Sequence, residues 1–499
     1  MMQTGKVWLA GAGPGSVELL TVKAWKLIKA GDCIVYDRLV GNEILSMIPA
    51  DTELINVGKS SGHHAIPQTE INQILIREAK LGKKVIRLKG GDPFLFGRGG
   101  EEIEALRREG IPFEVVPGVS SCAAVPAYNG IPVTHRDYVS SVHIITGHRR
   151  KGRDRQTDYE ALVRTKGTLV FLMGVQALEE IMENLMLAGI AGSMPAAILQ
   201  QGTTADQRRV TATVATLAEE ARKRQIGPPS VIIVGEVVKL AEEFAWHEQL
   251  PLSGERILVT RPAERGDKLQ EYLRALGAEV LTVPVIRTVP ADGQKRLKRI
   301  RKELKRLREY QVLAFTSPYG VQCFFEMLPD AGMDVRDVSH MRFAVIGEGT
   351  ANALKDKGIR ADYMPGHYDG RSLGRLLAKE LKDGTGILLA RSSMGGPEIL
   401  EEISKNQALS YTDLAVYDTV FMENQRERLR LFMKDGSVTK VIFTSSSAVE
   451  GFCRLLGEYP YETVQAVCMG GKTEEAAKAA GMRTVAARNA SIEELVLQC

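Results

Sequence analysis

No apolar run in this chain reaches the roughly 18 consecutive positions that a membrane-spanning helix needs, so no membrane association is expected. Paired metal or disulfide spacing is also missing. The six cysteines (Cys33, Cys122, Cys323, Cys453, Cys468 and Cys499) lie far apart with no Cys-x-x-Cys. The histidines offer no ligand spacing beyond the adjacent His63-His64, and neither a disulfide framework nor a metal site is expected. A dominant charge of one sign is absent too: the net charge of +4 is too small to imply a nucleic-acid partner. The start, Lys6-Val7-Trp8-Leu9-Ala10-Gly11, carries no apolar signal core and no small-residue cleavage site, and a cytoplasmic location is the expectation. What is present is ordinary for globular proteins, 44% hydrophobic and 25% charged residues. At about 150 residues per domain, 499 residues predict two to four units.

Two basic stretches stand out. Between Lys295 and Arg308 nine Lys or Arg residues surround Leu297, Ile300, Leu304 and Leu307 at helical spacing, which predicts an amphipathic surface helix with a solvated basic face. His148 to Arg155 lacks apolar periodicity and reads either as a loop that covers an anionic ligand or as a solvated loop.

Short apolar strands alternate with helical patterns through the first half: Val7 to Ala10, Val22 to Lys29, Cys33 to Tyr36, Glu70 to Ala79, Lys84 to Leu88. This is α/β wiring. A helix-like stretch from Val237 to Ala245 leads to Trp246-His247-Glu248-Gln249-Leu250-Pro251-Leu252-Ser253-Gly254, then to a new strand at Ile257 to Thr260. The expected division is therefore 1–246, a linker at 247–254, and 255–499. The second half repeats itself. Phe315-Thr316-Ser317 with Val321 and Phe324 returns as Phe443-Thr444-Ser445 with Val449 and Phe452, and Ile257-Leu258-Val259-Thr260-Arg261 matches Ile387-Leu388-Leu389-Ala390-Arg391. Each Thr-Ser pair sits at a strand end, where it either caps a helix or faces a ligand cleft.

The richest run is Arg87 to Glu102, where Val85, Ile86 and Leu88 end a strand and Gly90, Gly91, Gly99 and Gly100 free the backbone around Asp92, Arg98 and Glu101. Pro93 stiffens the turn. Such a loop suits a bound small molecule or a plain strand-to-helix connection. Gly11-Ala12-Gly13-Pro14-Gly15 first invites a dinucleotide-binding reading, with Asp37 as the ribose carboxylate. That reading fails where the third glycine should stand, because position 16 is serine and Pro14 removes a backbone donor.

Seven motifs in order do agree with one family: Ala10-Gly11-Ala12-Gly13-Pro14-Gly15, Tyr36-Asp37-Arg38-Leu39-Val40, Val57-Gly58-Lys59, the Arg87 to Glu102 loop, Pro117-Gly118-Val119-Ser120-Ser121, Gly130-Ile131-Pro132-Val133-Thr134-His135-Arg136 and Phe171-Leu172-Met173-Gly174. Through them residues 6–245 resemble the uroporphyrinogen-III C-methyltransferases of the tetrapyrrole methylase superfamily. The resemblance implies two α/β subdomains, S-adenosylmethionine bound between them, and a homodimer. It implies cofactor contacts at Pro14, Gly90, Gly91, Asp92, Leu95, Ser120, Ser121, Met173 and Gly202, with Asp37 as proton acceptor and Lys59 as proton donor. By their own chemistry, Asp37 also suits a strand-end cap or an ion pair with Arg38, Lys59 a substrate carboxylate, and Met173 core packing. An octa-carboxylate substrate needs cations, and Arg38, Lys59, His63, Arg98 and Arg136 are the candidates.

Residues 255–499 resemble uroporphyrinogen-III synthase through Leu258-Val259-Thr260-Arg261-Pro262, Phe315-Thr316-Ser317, Gly347-Glu348-Gly349-Thr350-Ala351, Tyr417-Asp418-Thr419 and Phe443-Thr444-Ser445-Ser446. Pro318-Tyr319 and Gly470-Gly471-Lys472-Thr473 depart from the family pattern. The family implies a two-lobed α/β fold, with the chain entering one lobe, crossing to build the other and returning, and no cofactor. Tyr417 is the candidate for assisting the leaving hydroxyl, or else a core residue; Thr350, Thr444 and Ser445 are candidates for binding carboxylates. Together the halves imply conversion of hydroxymethylbilane to uroporphyrinogen III and its double C-methylation to precorrin-2, toward siroheme or cobalamin. The rival reading is a methylase of later corrin intermediates joined to a non-catalytic ligand-binding half.

Overall fold

The computed structural model describes residues 4–58, 66–147, 157–261, 267–489 and 491–499. Five strands open the chain: β1 (Lys6–Gly11), β2 (Cys33–Tyr36), β3 (Glu53–Asn56), β4 (Lys84–Lys89) and β5 (Phe113–Val116). They form a parallel sheet in the order β3-β2-β4-β1-β5. Parallel neighbours demand crossover helices on both faces, and the apolar runs supply strands fit for burial on both sides. Ile71, Ile74, Leu75 and Ala79 of the helix Gln68–Lys80 lie on one stripe and pack with Val7, Leu9, Val35 and Val85. The helix Val22–Ala30 begins where Thr21 caps it, accepting from Ala24 N.

A second sheet follows, built from β6 (Val142–Thr146), β7 (Thr168–Leu172), β8 (Pro195–Gln200), β9 (Arg208–Thr213) and β10 (Ser230–Val234) in the order β6-β7-β10-β8-β9. Only β6 and β7 run parallel; the other pairs are antiparallel. One face packs on the helices Leu178–Leu187 and Leu217–Lys223, the other on the helix Ser121–Tyr128.

The expected helix from Val237 to Ala245 is instead a 3-10 helix, Glu236–Leu240, followed by turns. Its apolar spacing arises because Val237, Val238 and Ala241 all close over the second sheet. The segment after it is tied down: Trp246 Nε1 donates to Ala127 O at 2.9 Å, and Trp246 and His247 each meet the Tyr128 ring at about 5 Å.

Downstream, β11 (Arg256–Val259) and β12 (Glu279–Thr282) start a third sheet. The chain then leaves it to form β13 (Ile286–Pro290), β14 (Val312–Phe315), β15 (Arg342–Val345), β16 (Gly386–Ser392) and β17 (Ser410–Phe421), and returns for β18 (Lys440–Phe443), β19 (Gln465–Cys468) and β20 (Arg483–Ala486). The sheet orders are β12-β11-β18-β19-β20, all parallel, and β13-β17-β16-β14-β15, parallel except for β13 against β17. The fold is α/β throughout, and the second half is two-lobed with the leave-and-return path.

The internal repeat falls across both lobes. Phe315 and Phe324 stack edge to face at 5.6 Å in one lobe, as Phe443 and Phe452 do at 5.2 Å in the other. The basic helix spans Gln294–Leu304, with Ile300 and Leu304 buried and its cations outward. By internal contacts the chain forms two compact bodies, Met1–Pro284 with Asn424–Cys499, and Val285–Glu423.

Candidate active site

The carboxyl ends of β1, β4 and β5 meet. Ala12 N donates to Lys89 O at 2.7 Å, while Gly13 and Gly91 exchange a pair of backbone hydrogen bonds at 3.2 and 2.7 Å. A Cβ at Gly118 would lie 2.3 Å from Gly91 O and 2.7 Å from Gly11 Cα, so three backbones touch where only glycine fits. Asp92 locks this junction. Its Oδ1 accepts from Phe94 N and Leu95 N at 2.8 and 3.1 Å, and its Oδ2 from Gly118 N at 3.1 Å. The side chain expected to contact the cofactor therefore already holds three backbone donors. Ser120 caps the helix Ser121–Tyr128, and Pro14 is half-buried beside the same loops. The result is a rim of polar backbone groups at strand ends, where open α/β sheets receive ligands.

The second sheet contributes from its own edge. Met173 directly follows β7 with φ of +56° and is 53% exposed, which rules out core packing for it. Leu95 packs against the core cluster that contains Val125 and Leu172, and a Cβ at Gly202 would strike Val125 Cγ1 at 2.4 Å. The loop carrying Gly202 reaches the first sheet through Thr203, whose Oγ1 accepts from Ser16 N at 3.3 Å.

Asp37 stands at the end of β2, partly exposed. Its Oδ1 caps Leu39 N at 3.1 Å, and its Oδ2 pairs with Arg87 Nη2 at 3.3 Å rather than with Arg38. The turn it shapes rests on Gly90, where a Cβ would meet Leu39 Cβ at 2.5 Å. Arg38 and Arg136 are exposed; Arg98, at φ of +59°, forms a two-pronged pair with Glu101 that holds its guanidinium charged. Lys59 and His63, like the run His148 to Arg155, lie outside the described residues.

Sequence reasoning missed the charges beneath the site. Arg87 and Lys89 are 3% and 4% exposed on a central strand, and Glu102 is fully buried. Glu102 Oε1 accepts from Arg87 Nε at 3.1 Å, Lys89 Nζ at 2.9 Å and Gln68 Nε2 at 3.2 Å. Burial first, and the neighbouring Arg87 second, push the Lys89 amine below its usual range. The signal was two cations, Arg87 and Lys89, spaced i, i+2 after the apolar Val85 and Ile86, which puts both on one face.

In the second half, Ser317 and Ser445 cap the helices Pro318–Asp330 and Ser446–Leu456. Tyr417 is buried; its hydroxyl meets Ser317 Oγ at 2.9 Å, its ring stacks edge to face on Tyr319, and burial raises its phenol above the ordinary value. Thr350 is 2% exposed, closed off rather than offered to solvent, whereas Thr444 and Ser445 are partly open. Tyr417 and Thr350 belong to the body Val285–Glu423, Thr444 and Ser445 to the other.

Two family models match this chain, tetrapyrrole (corrin/porphyrin) methylases over residues 6–218 and uroporphyrinogen-III synthase HemD over residues 267–496. A porphyrin biosynthesis protein HemD from Ruminiclostridium josui is 41% identical over 495 residues, 99% of this chain and 97% of that protein. The siroheme synthase of Pseudomonas entomophila is 50% identical over 248 residues; the match takes in 50% of this chain and 53% of that enzyme, about half its length. Among solved structures, a uroporphyrin-III C-methyl transferase from Thermus thermophilus complexed with S-adenyl homocysteine is 40% identical over 47% of this chain and 99% of its own, at a TM-score of 0.41.

Proposed function

The chain belongs to the family of proteins that join a tetrapyrrole methylase to a uroporphyrinogen-III synthase, and from that premise we propose that it makes uroporphyrinogen III from hydroxymethylbilane and methylates it twice, giving precorrin-2. It is a methyltransferase and a lyase. In this reading residues 1–246 carry the methylase and 255–499 the synthase, joined at 247–254. The observation that carries it is the partly exposed Asp37 carboxylate, held by Arg87 at the lip of the glycine junction.

The residues present fit S-adenosylmethionine: the Gly11, Gly91 and Gly118 junction carries no side chain, which leaves a polar ligand room to approach the loop backbone and Ser120 at the start of the helix Ser121–Tyr128. Pro14, Gly90, Gly91, Asp92, Leu95, Ser120, Ser121, Met173 and Gly202 would hold it, Asp92 while also fastening the loop through its backbone donors. When bound, it supplies an electrophilic methyl group. The chain's own work is alignment of an electron-rich pyrrole carbon and management of protons. Asp37 takes the proton lost as the ring system rearranges, its carboxylate aimed by Arg87 and Leu39 N. Lys59 serves as donor, and Arg38, His63, Arg98 and Arg136 hold substrate carboxylates.

The synthase half acts without a cofactor. Departure of hydroxide leaves a cation that the pyrroles themselves stabilise, so the protein mainly folds the linear chain to favour attack at the substituted carbon. Tyr417 assists the leaving group, and Thr444 and Ser445 meet carboxylates, as the buried Thr350 does once its cover moves aside. The product feeds siroheme or cobalamin synthesis, and the working assembly is a cytoplasmic homodimer. Incubation with hydroxymethylbilane, with and without S-adenosylmethionine, tests both activities. Type I product alone sinks the synthase; type III product never methylated sinks the methylase. Asp37→Ala should keep S-adenosylmethionine binding and lose methylation, and unchanged turnover would remove its role.

A further inference from the structure

The first synthase lobe grips two loops of the methylase half inside one compact body. One grip starts at Glu279 on β12. Its Oε2 accepts from Ala205 N at 2.9 Å and from Arg256 Nη2 at 3.0 Å, and Arg256 also pairs with Asp206. Ala205 and Asp206 close the loop that contains Gly202. That loop is strained, because Gln201 and Thr203 both adopt positive φ, +47° and +71°, and such backbone persists only where its surroundings hold it. Thr203 in turn supports the glycine turn at Pro14: it accepts from Ser16 N, and a Cβ at Gly15 would lie 2.8 Å from its hydroxyl.

The other grip comes from Arg274, in the helix Lys268–Ala275. Its Nε donates to Glu43 Oε1 at 2.6 Å, while Glu43 Oε2 accepts from Val17 N at 3.0 Å, two residues past Gly15 of that same glycine turn. Glu43 is 3% exposed and Arg274 little more, so each is the other's charge partner in a buried place. Burial raises the Glu43 carboxyl and Arg274 opposes that rise. Nearby, Thr282 N donates to Ser46 Oγ at 3.0 Å. Both grips border one polar cavity of about 170 Å³, lined by Ser16, Glu43, Tyr128, Thr203, Arg274 and Glu279 among others. In a methylase half standing alone, water would have to replace Arg274 beside Glu43 and Glu279 at Ala205 N.

We propose that the first synthase lobe braces the methyl-donor loops of the methylase, with Glu279 and Arg274 as positioning residues for methylation. This rests on the assignment of the Pro14 and Gly202 loops to S-adenosylmethionine. The two activities then share more than a linker: methylation depends on a lobe that belongs to the other enzyme, while cyclisation does not depend on this contact.

The test uses the full chain and reads both activities in each variant. Glu279→Ala should raise the KM for S-adenosylmethionine about tenfold with kcat within about twofold, because it removes a charged acceptor from a strained loop. Glu279→Gln, which still offers an oxygen to Ala205 N, should return KM to within about threefold of the parent. Arg274→Ala should raise the same KM, and Glu43→Gln added to it should relieve most of that rise by removing the unpaired buried carboxylate. Cyclisation of hydroxymethylbilane should stay within about twofold in all four. An unchanged KM in Glu279→Ala, equal impairment of Glu279→Ala and Glu279→Gln, or parallel loss of cyclisation overturns the proposal. Failure of the parent protein to bind S-adenosylmethionine overturns instead the functional reading beneath it.

Discussion

Replacing Glu102 by Gln removes one negative charge from a fully buried site without changing its shape, and the consequence can be worked through. Glu102 Oε1 is shared by Arg87, Lys89 and Gln68, and Glu102 Oε2 has no hydrogen-bond partner among the described residues. Without the charge, two buried cations remain, and among the described residues only Arg87 keeps a carboxylate, that of Asp37. Breaking a buried pair from one side typically costs about 3–5 kcal/mol. Lys89 limits that cost by giving up its proton, being already held below its usual range by burial. A lysine whose folded-state pKa is depressed binds more protons when unfolded, so stability rises with pH between the folded-state value and 10.5. The substitution depresses Lys89 further, and each added unit costs about 1.4 kcal/mol at pH below both folded-state values, a cost that vanishes above them. The penalty should therefore be large at pH 6 and smaller at pH 10. All three tryptophans, Trp8, Trp25 and Trp246, lie in the body formed by Met1–Pro284 with Asn424–Cys499, so tryptophan fluorescence during urea unfolding reports on that body, which holds the methylase half. A loss below about 1 kcal/mol at pH 6, or the same loss at both pH values, would refute the charge argument.

Gly118→Ala places a methyl 2.3 Å from Gly91 O and should weaken S-adenosylmethionine binding at least about tenfold by titration calorimetry; parental affinity would mean the junction is not the donor site. Tyr417→Phe loses one buried hydrogen bond to Ser317, about 1 kcal/mol of stability, but should slow cyclisation by about 100-fold if its hydroxyl assists the leaving group. A slowing below about fivefold assigns Tyr417 to the core alone. Phe324→Ala should destabilise the body Val285–Glu423 by about 3–5 kcal/mol, seen by near-ultraviolet dichroism, with the tryptophan transition unmoved; a shifted tryptophan transition would mean the two bodies unfold as one.

What could be read ahead of the structure follows from how local each cause is. The strand Cys33–Tyr36 is an apolar run, and Lys84–Lys89 carries Val85, Ile86 and Leu88 ahead of Gly90 and Gly91, so their position and type were legible. Val237 to Ala245 was not, since a short apolar cluster covering a sheet looks the same whether its backbone is α or 3-10. Asp92 carried a readable signal that was passed over: an aspartate whose side chain binds backbone N-H groups two and three residues on is an Asx turn, the local alternative to a ligand contact. The repeat was visible residue by residue, yet its split between two bodies depends on which strands pair, and pairing is a long-range choice.

The site divides along the same line. Glycine and carboxylate at strand ends announce themselves, because a turn that must admit a ligand excludes side chains locally. The charges that hold Asp37 do not. Arg87 and Lys89 look like solvated residues until Glu102 is brought over them, and nothing short of the tertiary fold does that. Glu43 and Arg274 are further removed still, 231 positions apart, each an ordinary helix surface residue by sequence. A buried ion pair tolerates the loss of neither partner, so its two members constrain each other although they stand in different enzymes. Fusing the two enzymes thus fixes which residues of the methylase are free to change, and the constraint falls on the turn that ends two residues before Val17, where the methyl donor is proposed to sit.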